Sequence, residues 1–277
     1  MWPEPLTAAP DRPAGPPGEV LDPTDPRLDD FRDLADAHRR PDGRGLVIAE
    51  GVCVVERLLA SPYPVRSVVG VTGKIAQLQP ALRRTGISPV VVDKWVLSDA
   101  VGFRVTRGVL ASAERAAPPD LHALLPTVQR VAVLEGLNDY ENLGALFRNV
   151  AALGVQAVLL DPRTADPLYR RCVRVSMGHV LRVPFARLPG AWPESLGRLR
   201  KHGFSVLALT PRPEAEPISG IPRPDRWAVL LGAEGPGLTP AALAAADQRV
   251  RIPMADGVDS LNVATAAALA FAALQAE

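Results

Sequence analysis

The polar residues of this chain that could do chemistry are gathered in four short stretches. Asn142-Leu-Gly-Ala-Leu-Phe-Arg148 sets a glycine and an arginine four residues apart, hence on one helix face, with Leu143, Phe147 and Val150 on the other. Asn142 reads as the N-cap of that helix, its side chain taking a free amide of the first turn. A planar guanidinium rising over glycine and alanine has room for a phosphate or a ribose, and a structural ion pair is the alternative for Arg148. Gly232-Ala-Glu-Gly-Pro-Gly237 follows the hydrophobic run Trp227-Ala-Val-Leu-Leu231. Its glycines let backbone approach a ligand or another loop, and Glu234 among them can accept hydrogen bonds from amides or a guanidinium. A tight turn with no ligand is the other meaning of that segment. Ile252-Pro-Met254 ends a further strand-like run, and Asp259-Ser-Leu-Asn-Val263 opens an alanine-rich terminal helix. Asp259 or Ser260 is expected to cap that helix, with Asn262 inside its first turn, where Leu or Ala would suit a helix better.

Such turns need buried elements to hold them. Downstream of residue 129, short Val/Leu runs at 131–134, 155–160, 180–184, 204–209, 227–231 and 249–252 read as strands. Helices are expected between and after them, at 142–153, 167–176, 192–202, 238–245 and 260–275. This alternation predicts an α/β fold with a mostly parallel sheet covered on both faces, and α/β proteins place ligands at strand ends. Upstream, a short helix at 26–34 ends in a basic bend at 39–45. Strands at 46–50, 65–71 and 87–92, helices at 52–60 and 75–84, and a loop with a last strand across 98–111 then suggest a smaller α/β domain. The expected organisation is a disordered segment 1–24, a domain 25–115, a linker 116–128 marked by Pro118, Pro119 and Pro126, and a second domain 129–277.

Composition removes several classes. The apolar runs are broken by Arg, Asp, Gly or Pro before a membrane-spanning length, and the N-terminus is not that of a secretory signal, so no membrane partner and a cytoplasmic location are expected. Cys53 and Cys172 stand far apart and are expected to be buried and unpaired, and the histidines at 38, 122, 179 and 202 have no ligand-like spacing, so no metal is expected. There is no Gly-x-Gly-x-x-Gly after the first strand, no phosphate-binding Lys-Ser/Thr loop and no serine elbow, which argues against dehydrogenase, NTPase and hydrolase chemistry. A net charge of +1 says little about nucleic acid, but arginines 163, 170, 171, 174, 182 and 187 face only Asp166 within their stretch. That patch could meet phosphates or be a solvated helix face.

Taken together, Asn142-x-Gly144-x-x-x-Arg148, the Gly232-x-Glu234-Gly235-x-Gly237 turn with Ile252-Pro-Met254, and Ser260-Leu-Asn-Val263 resemble the three motifs of the SpoU/TrmH class of SPOUT RNA methyltransferases, in the right order. Arg174-x-Ser176-x-Gly178 resembles an intermediate segment of that family, and the N-terminal part, with Glu50-Gly51, resembles an L30e-like substrate-binding domain. The pattern departs from the family at Tyr140, where proline is common, and at Asn149, which leaves Arg148 in phase.

The resemblance implies a C-terminal α/β trefoil-knot domain, threaded within 204–262, behind the small L30e-like domain. It implies a homodimer that transfers a methyl group from S-adenosyl-L-methionine to a ribose 2'-hydroxyl of rRNA or tRNA. Cofactor binding would fall to Leu209, Gly232, Ile252, Met254 and Leu261, and catalysis to Arg148, Asn142, Glu234, Ser260 and Asn262. In this scheme Asn142 and Asn262 orient the site, Ser260 contacts Arg148 or the ribose, Glu234 holds the turn or the arginine, and Arg148 binds phosphate and ribose. The alternatives are a non-catalytic RNA-binding protein of the same fold and a base methyltransferase of the wider class.

Overall fold

The structure, a computed structural model, describes residues 19–20, 22–32, 34 and 45–275. Most of the expected disordered segment 1–24, and the basic bend at 39–45 apart from Gly45, lie outside the described residues. The chain forms two compact units: the described residues up to Ala117 together with Leu168–Arg182, and Pro118–Pro167 together with Val183–Glu277.

The first unit is built on a five-stranded sheet of β1 (Glu19–Val20), β2 (Leu46–Glu50), β3 (Val65–Gly70), β4 (Val90–Val92) and β5 (Val109–Glu114), in the order β1-β4-β3-β5-β2. β5 runs antiparallel to β2 and β3, and the remaining pairs are parallel. Helices α1 (Val52–Leu59), α2 (Thr72–Thr85) and α3 (Lys94–Val101) cover it. α1 buries Val54, Val55, Leu58 and Leu59, the face its apolar spacing predicts. α3 lies where no helix was expected, and its second half falls in the stretch from 98 that was read as a loop. Val96, Leu97, Ala100 and Val101 bury a helical stripe there, and Gly102 closes it in the left-handed conformation at φ 79. The predicted helix at 26–34 is a 3-10 turn, Pro26–Phe31, which delivers Leu28 and Phe31 to the core with Ile48, Val69 and Leu110. Cys172 is buried as expected, whereas Cys53 falls on the exposed side of α1.

The second unit carries seven strands: β6 (Arg130–Glu135), β7 (Ala157–Leu160), β8 (Phe185–Arg187), β9 (Ser205–Leu209), β10 (Glu216–Pro217), β11 (Trp227–Gly232) and β12 (Gln248–Arg251). Their order is β10-β12-β9-β11-β6-β7-β8, and every pairing is parallel. Val131–Leu134 and Ala228–Leu230 have no exposed surface, as strands covered on both faces require. The expected strand at 180–184 is displaced. Gly178, at φ 79, opens a 3-10 turn at His179–Leu181, and the strand begins only after Pro184, which has no amide to give a ladder.

The helices from here on are α4 (Leu121–Leu124), α5 (Tyr140–Ala152), α6 (Arg170–Val175), α7 (Gly197–Lys201), α8 (Pro240–Ala245) and α9 (Val263–Ala273), of which α6 belongs to the first unit. α9 packs against β11 and α5, with Phe271 stacked on Trp227 at 6.0 Å between centroids. Asn149 Nδ2 donates to the carbonyl of Ala264 at 2.8 Å and so pins α5 to α9. Among the described residues no helix is long and apolar enough to cross a membrane, and no cluster of His, Cys, Asp or Glu is placed to hold a metal ion.

Leu168–Arg182, expected within the second domain, packs with the first unit. α6 lies on β2, and Arg57 donates to the carbonyl of Met177. Arg170 reaches Glu50 at 3.9 Å, donates to the carbonyl of Leu34 at 3.2 Å, and lies over the Phe103 ring at 4.7 Å. Burial pushes its guanidinium below the ordinary arginine range, with Glu50 acting in the opposite sense. The run of arginines is therefore divided between the units, and it is partly structural: Arg187, in the second unit, donates to the carbonyls of Asp161 and Thr164 at 2.7 Å each.

Glu50 is 4% exposed and one of its oxygens has no hydrogen-bond partner among the described residues, so the Arg170 charge at 3.9 Å offsets its burial. Arg170→Met should destabilise the protein by about 3 kcal/mol, the cost of leaving a buried charge alone. Glu50→Met in the same chain should restore most of that loss. A denaturant double-mutant cycle measures the coupling, and additive losses would show that the pair is not the cause.

Candidate active site

In a parallel sheet all carboxyl ends lie along one edge, and β12, β9, β11 and β6 are neighbours. The loops that follow Arg251, Leu209, Gly232 and Glu135 are thereby brought together by topology alone. A cavity of about 520 Å³ opens among them, lined by Leu209, Thr210, Arg212, Gly232, Glu234, Ile252, Met254, Ser260, Leu261 and Asn262. Each of the five residues expected at the cofactor lines it. A second cavity of about 420 Å³ shares the 233–237 turn with the first and adds Asp139, Asn142, Arg163 and Thr239.

The turn itself is dictated by glycine. A Cβ on Gly232 would lie 2.3 Å from the carbonyl carbon of Gly237 and 2.4 Å from the amide nitrogen of Leu238, distances no side chain tolerates. The loop folds back so that Gly237 donates to the carbonyl of Ala233 at 3.0 Å, with Gly235 and Gly237 at φ 83 and 66. Glu234 is thus held out at the apex, exposed, between the two cavities it lines.

Both asparagines differ from their expected local roles. Asp139, not Asn142, caps α5: its carboxylate accepts the amide of Asn142 at 2.8 Å. Asn142 sits three residues further in, 9% exposed, and offers its Oδ1 to Asn262. Asn262, expected inside the first turn of α9, is itself the N-cap; its Oδ1 accepts the amides of Ala264 at 3.0 Å and Thr265 at 3.2 Å. Its Nδ2 donates to Asn142 Oδ1 at 2.7 Å and to Glu234 Oε1 at 2.9 Å. Asp259 and Ser260 are left exposed before the helix. The cap preference of Asn, Asp and Ser is similar, and the contact to Asn142 and Glu234 selects among them.

The remaining sequence candidates are less gathered. Ser260 lines the first cavity but makes no hydrogen bond among the described residues, to Arg148 or any other group. Arg148 is exposed on α5 and lines neither cavity, and its side chain has no ion pair or hydrogen bond among the described residues. A structural ion pair, the alternative considered for it, is therefore not made. Its face is as the spacing required, since Leu143, Phe147 and Val150 are wholly buried.

Sequence reasoning missed Glu135. This carboxylate, 1% exposed at the end of β6, accepts Trp192 Nε1 at 2.6 Å and Thr239 Oγ1 at 2.7 Å on one oxygen and the amide of Thr239 at 2.8 Å on the other. It fixes the exit of the glycine turn, where Thr239 caps α8. A charged residue closing the apolar run Val131–Leu134 was the available signal.

Asn262→Ala should lower the unfolding free energy by about 1 kcal/mol through loss of the cap. Asn262→Asp keeps accepting oxygens for α9 while setting a second carboxylate against Glu234, and should lose less stability. Thermal unfolding of the three proteins gives the ranking, and an alanine variant as stable as the parent would deny Asn262 its capping role.

Comparison with known proteins bears on the same segments. The SpoU rRNA Methylase family matches residues 129–272. An uncharacterized tRNA/rRNA methyltransferase of Mycobacterium tuberculosis is 52% identical over 260 residues, 91% of this chain and 90% of that relative. A 23S rRNA (guanosine-2'-O-)-methyltransferase of Acinetobacter baylyi is 32% identical over 232 residues, 79% of this chain and 93% of its own length. Among solved structures, the AdoMet-bound rRNA methyltransferase of Sinorhizobium meliloti is similar at a TM-score of 0.76 and 26% identity, covering 94% of this chain and 98% of that one. The motif segments that meet around Asn262 lie within the matched region, and this chain belongs to the SpoU rRNA methylase family.

Proposed function

We propose that the protein transfers a methyl group from S-adenosyl-L-methionine to a ribose 2'-hydroxyl of rRNA or tRNA. The observation that carries this reading is the meeting of three distant segments where the two strand-end cavities adjoin: Asn262, which lines the first, bonds to Asn142, which lines the second, and to Glu234, which lines both. The named relatives support the choice of RNA and of the ribose oxygen, since one is a 23S rRNA (guanosine-2'-O-)-methyltransferase and a structural relative was solved with AdoMet bound.

The lining fits the cofactor in chemistry and size. Leu209, Ile252, Met254 and Leu261 offer apolar surface for an adenine, Glu234 a negative charge for a cationic group, and Arg212 a positive one for a carboxylate. Bound there, S-adenosyl-L-methionine supplies the methyl group. The protein's own part is to align a ribose hydroxyl and assist the loss of its proton. Arg148, exposed on α5 and unpaired among the described residues, is assigned to the phosphate and ribose of the acceptor. Ser260, open to the first cavity, is assigned to that ribose, while Asn142, Asn262 and Glu234 hold the loops in register.

A homodimer belongs to this proposal. α9 has no charged residue, yet Thr265, Leu269 and Ala272 form an open stripe along it, with Leu269 46% exposed. A helix apolar all round calls for cover, and a second copy of the chain supplies it and carries Arg148 to a shared site. Val258 and Leu261, exposed just before α9, extend that surface. The proposal also includes a trefoil knot within 204–262, an L30e-like first domain for RNA, and action in the cytoplasm.

Arg148→Ala should leave cofactor affinity near that of the parent, because the residue lines neither cavity, but lower turnover by about 10² or more. RNA with a single 2'-deoxy at the modified nucleotide should be inert. Labelled-methyl transfer at saturating RNA tests both: normal turnover removes Arg148 from the mechanism, and methylation of the deoxy RNA moves the target to a base. Sedimentation should give twice the chain mass of 29.5 kDa, and an active monomer would exclude the shared site.

A further inference from the structure

A cavity of about 480 Å³ lies beside α4 and α7 in the second unit and shares no residue with the two cavities at the strand ends. Four nitrogen-bearing side chains line it, His122, Arg198, Lys201 and His202, and none of their side chains makes a hydrogen bond or ion pair among the described residues. Arg200, between them in sequence, shows what engagement would look like. It is paired with Asp247 at 2.5 Å and with the carbonyl of Ala245. The lining includes one acid, Glu194, so positive charge dominates.

The rest of the lining is not that of a bare anion site. Leu121, Leu125 and Pro189 give apolar surface, and the two imidazoles add flat rings. Ser195, 7% exposed and part of the same wall, carries a buried hydroxyl with no partner among the described residues. A ligand that uses all of this has a flat apolar face and a compact negative charge, within a volume ordinary for a small-molecule site. A nucleotide meets each requirement: base against rings and aliphatic surface, phosphate on the guanidinium fork and the ammonium.

We propose that this cavity binds a nucleoside phosphate, presented as an unpaired nucleotide of the RNA strand away from the modified ribose. The proposal rests on RNA being the substrate, and its ligand chemistry is shared with a free mononucleotide. It gives the second unit a recognition point of its own, so that register on the RNA is set at two places.

The test uses the full chain with S-adenosyl-L-methionine saturating, so that the strand-end cavity is engaged. The probes are uridine 5'-monophosphate and a single-stranded RNA carrying one 4-thiouridine for photo-crosslinking. The variants are Arg198→Gln with Lys201→Gln, and separately His202→Ala. RNA affinity should fall about tenfold in the double variant, the slope of log affinity against log salt should lose about one unit, and crosslinks should map to residues 189–202 and vanish on substitution.

Unchanged RNA affinity in both variants, with crosslinks elsewhere, would overturn the proposal. Binding of the monophosphate that is lost in the double variant but that RNA does not compete away would keep the ligand chemistry and overturn the assignment to the RNA strand. Polyglutamate binding lost in the double variant, without RNA binding, would assign an acidic peptide instead and overturn it too. Cofactor affinity and methyl transfer are read on the same samples. Loss of RNA affinity in the variants of a chain that proves unable to methylate would leave the cavity standing and remove only the catalytic reading.

Discussion

The side-chain amide of Asn262 is the contact on which the site depends. Its oxygen satisfies two open amides at the start of α9, and its nitrogen joins Asn142 on α5 to Glu234 on the glycine turn. Only a carboxamide offers an acceptor and a two-proton donor on so short a stem. The partners lie 120 and 28 residues away in sequence, so one group closes two long loops at once. Because the amide is held at both ends, the approach of α9 to the turn is defined by direction as well as by packing.

Beneath that contact, buried carboxylates do the supporting. Glu135 holds Trp192 and Thr239, and Asp161, without exposed surface, accepts the amide and hydroxyl of Thr164 at 2.7 and 2.6 Å. Arg163 comes within 3.5 Å of Asp161 and 3.8 Å of Glu135 while remaining 64% exposed. Charges committed to structure are therefore buried or tethered. Arg148 is neither: it stands exposed on α5, and its side chain has no ion pair among the described residues.

Much of the second unit was legible because a parallel sheet writes itself as short apolar runs, and β6, β9 and β11 fall within a residue or two of where their Val/Leu runs predict. The close backbone approach at Gly232 was legible for a similarly local reason: glycines this dense in a turn leave few other uses. The caps were not. Asp139 competes with Asn142, and Asp259 and Ser260 with Asn262, for roles that these residue types fill about equally, and the choice is made by partners far away in sequence. Glu135 was hidden because its value comes from Trp192 and Thr239, neither of which is near it in the chain. For Arg148, spacing gave the helix face, which the fold leaves exposed on α5.

Leu168–Arg182 belongs with the first unit although the chain has by then already entered the second. The polypeptide therefore passes between units after Ala117, after Pro167 and again after Arg182. In evolution a single recombination junction could not exchange the first unit for another: the donor would bring the body of the unit but leave behind the insert bearing Arg170, the counter-charge of Glu50. Lineages that trade such a unit must change two stretches of gene together, so the two parts should be inherited as one module despite being separated in the reading frame.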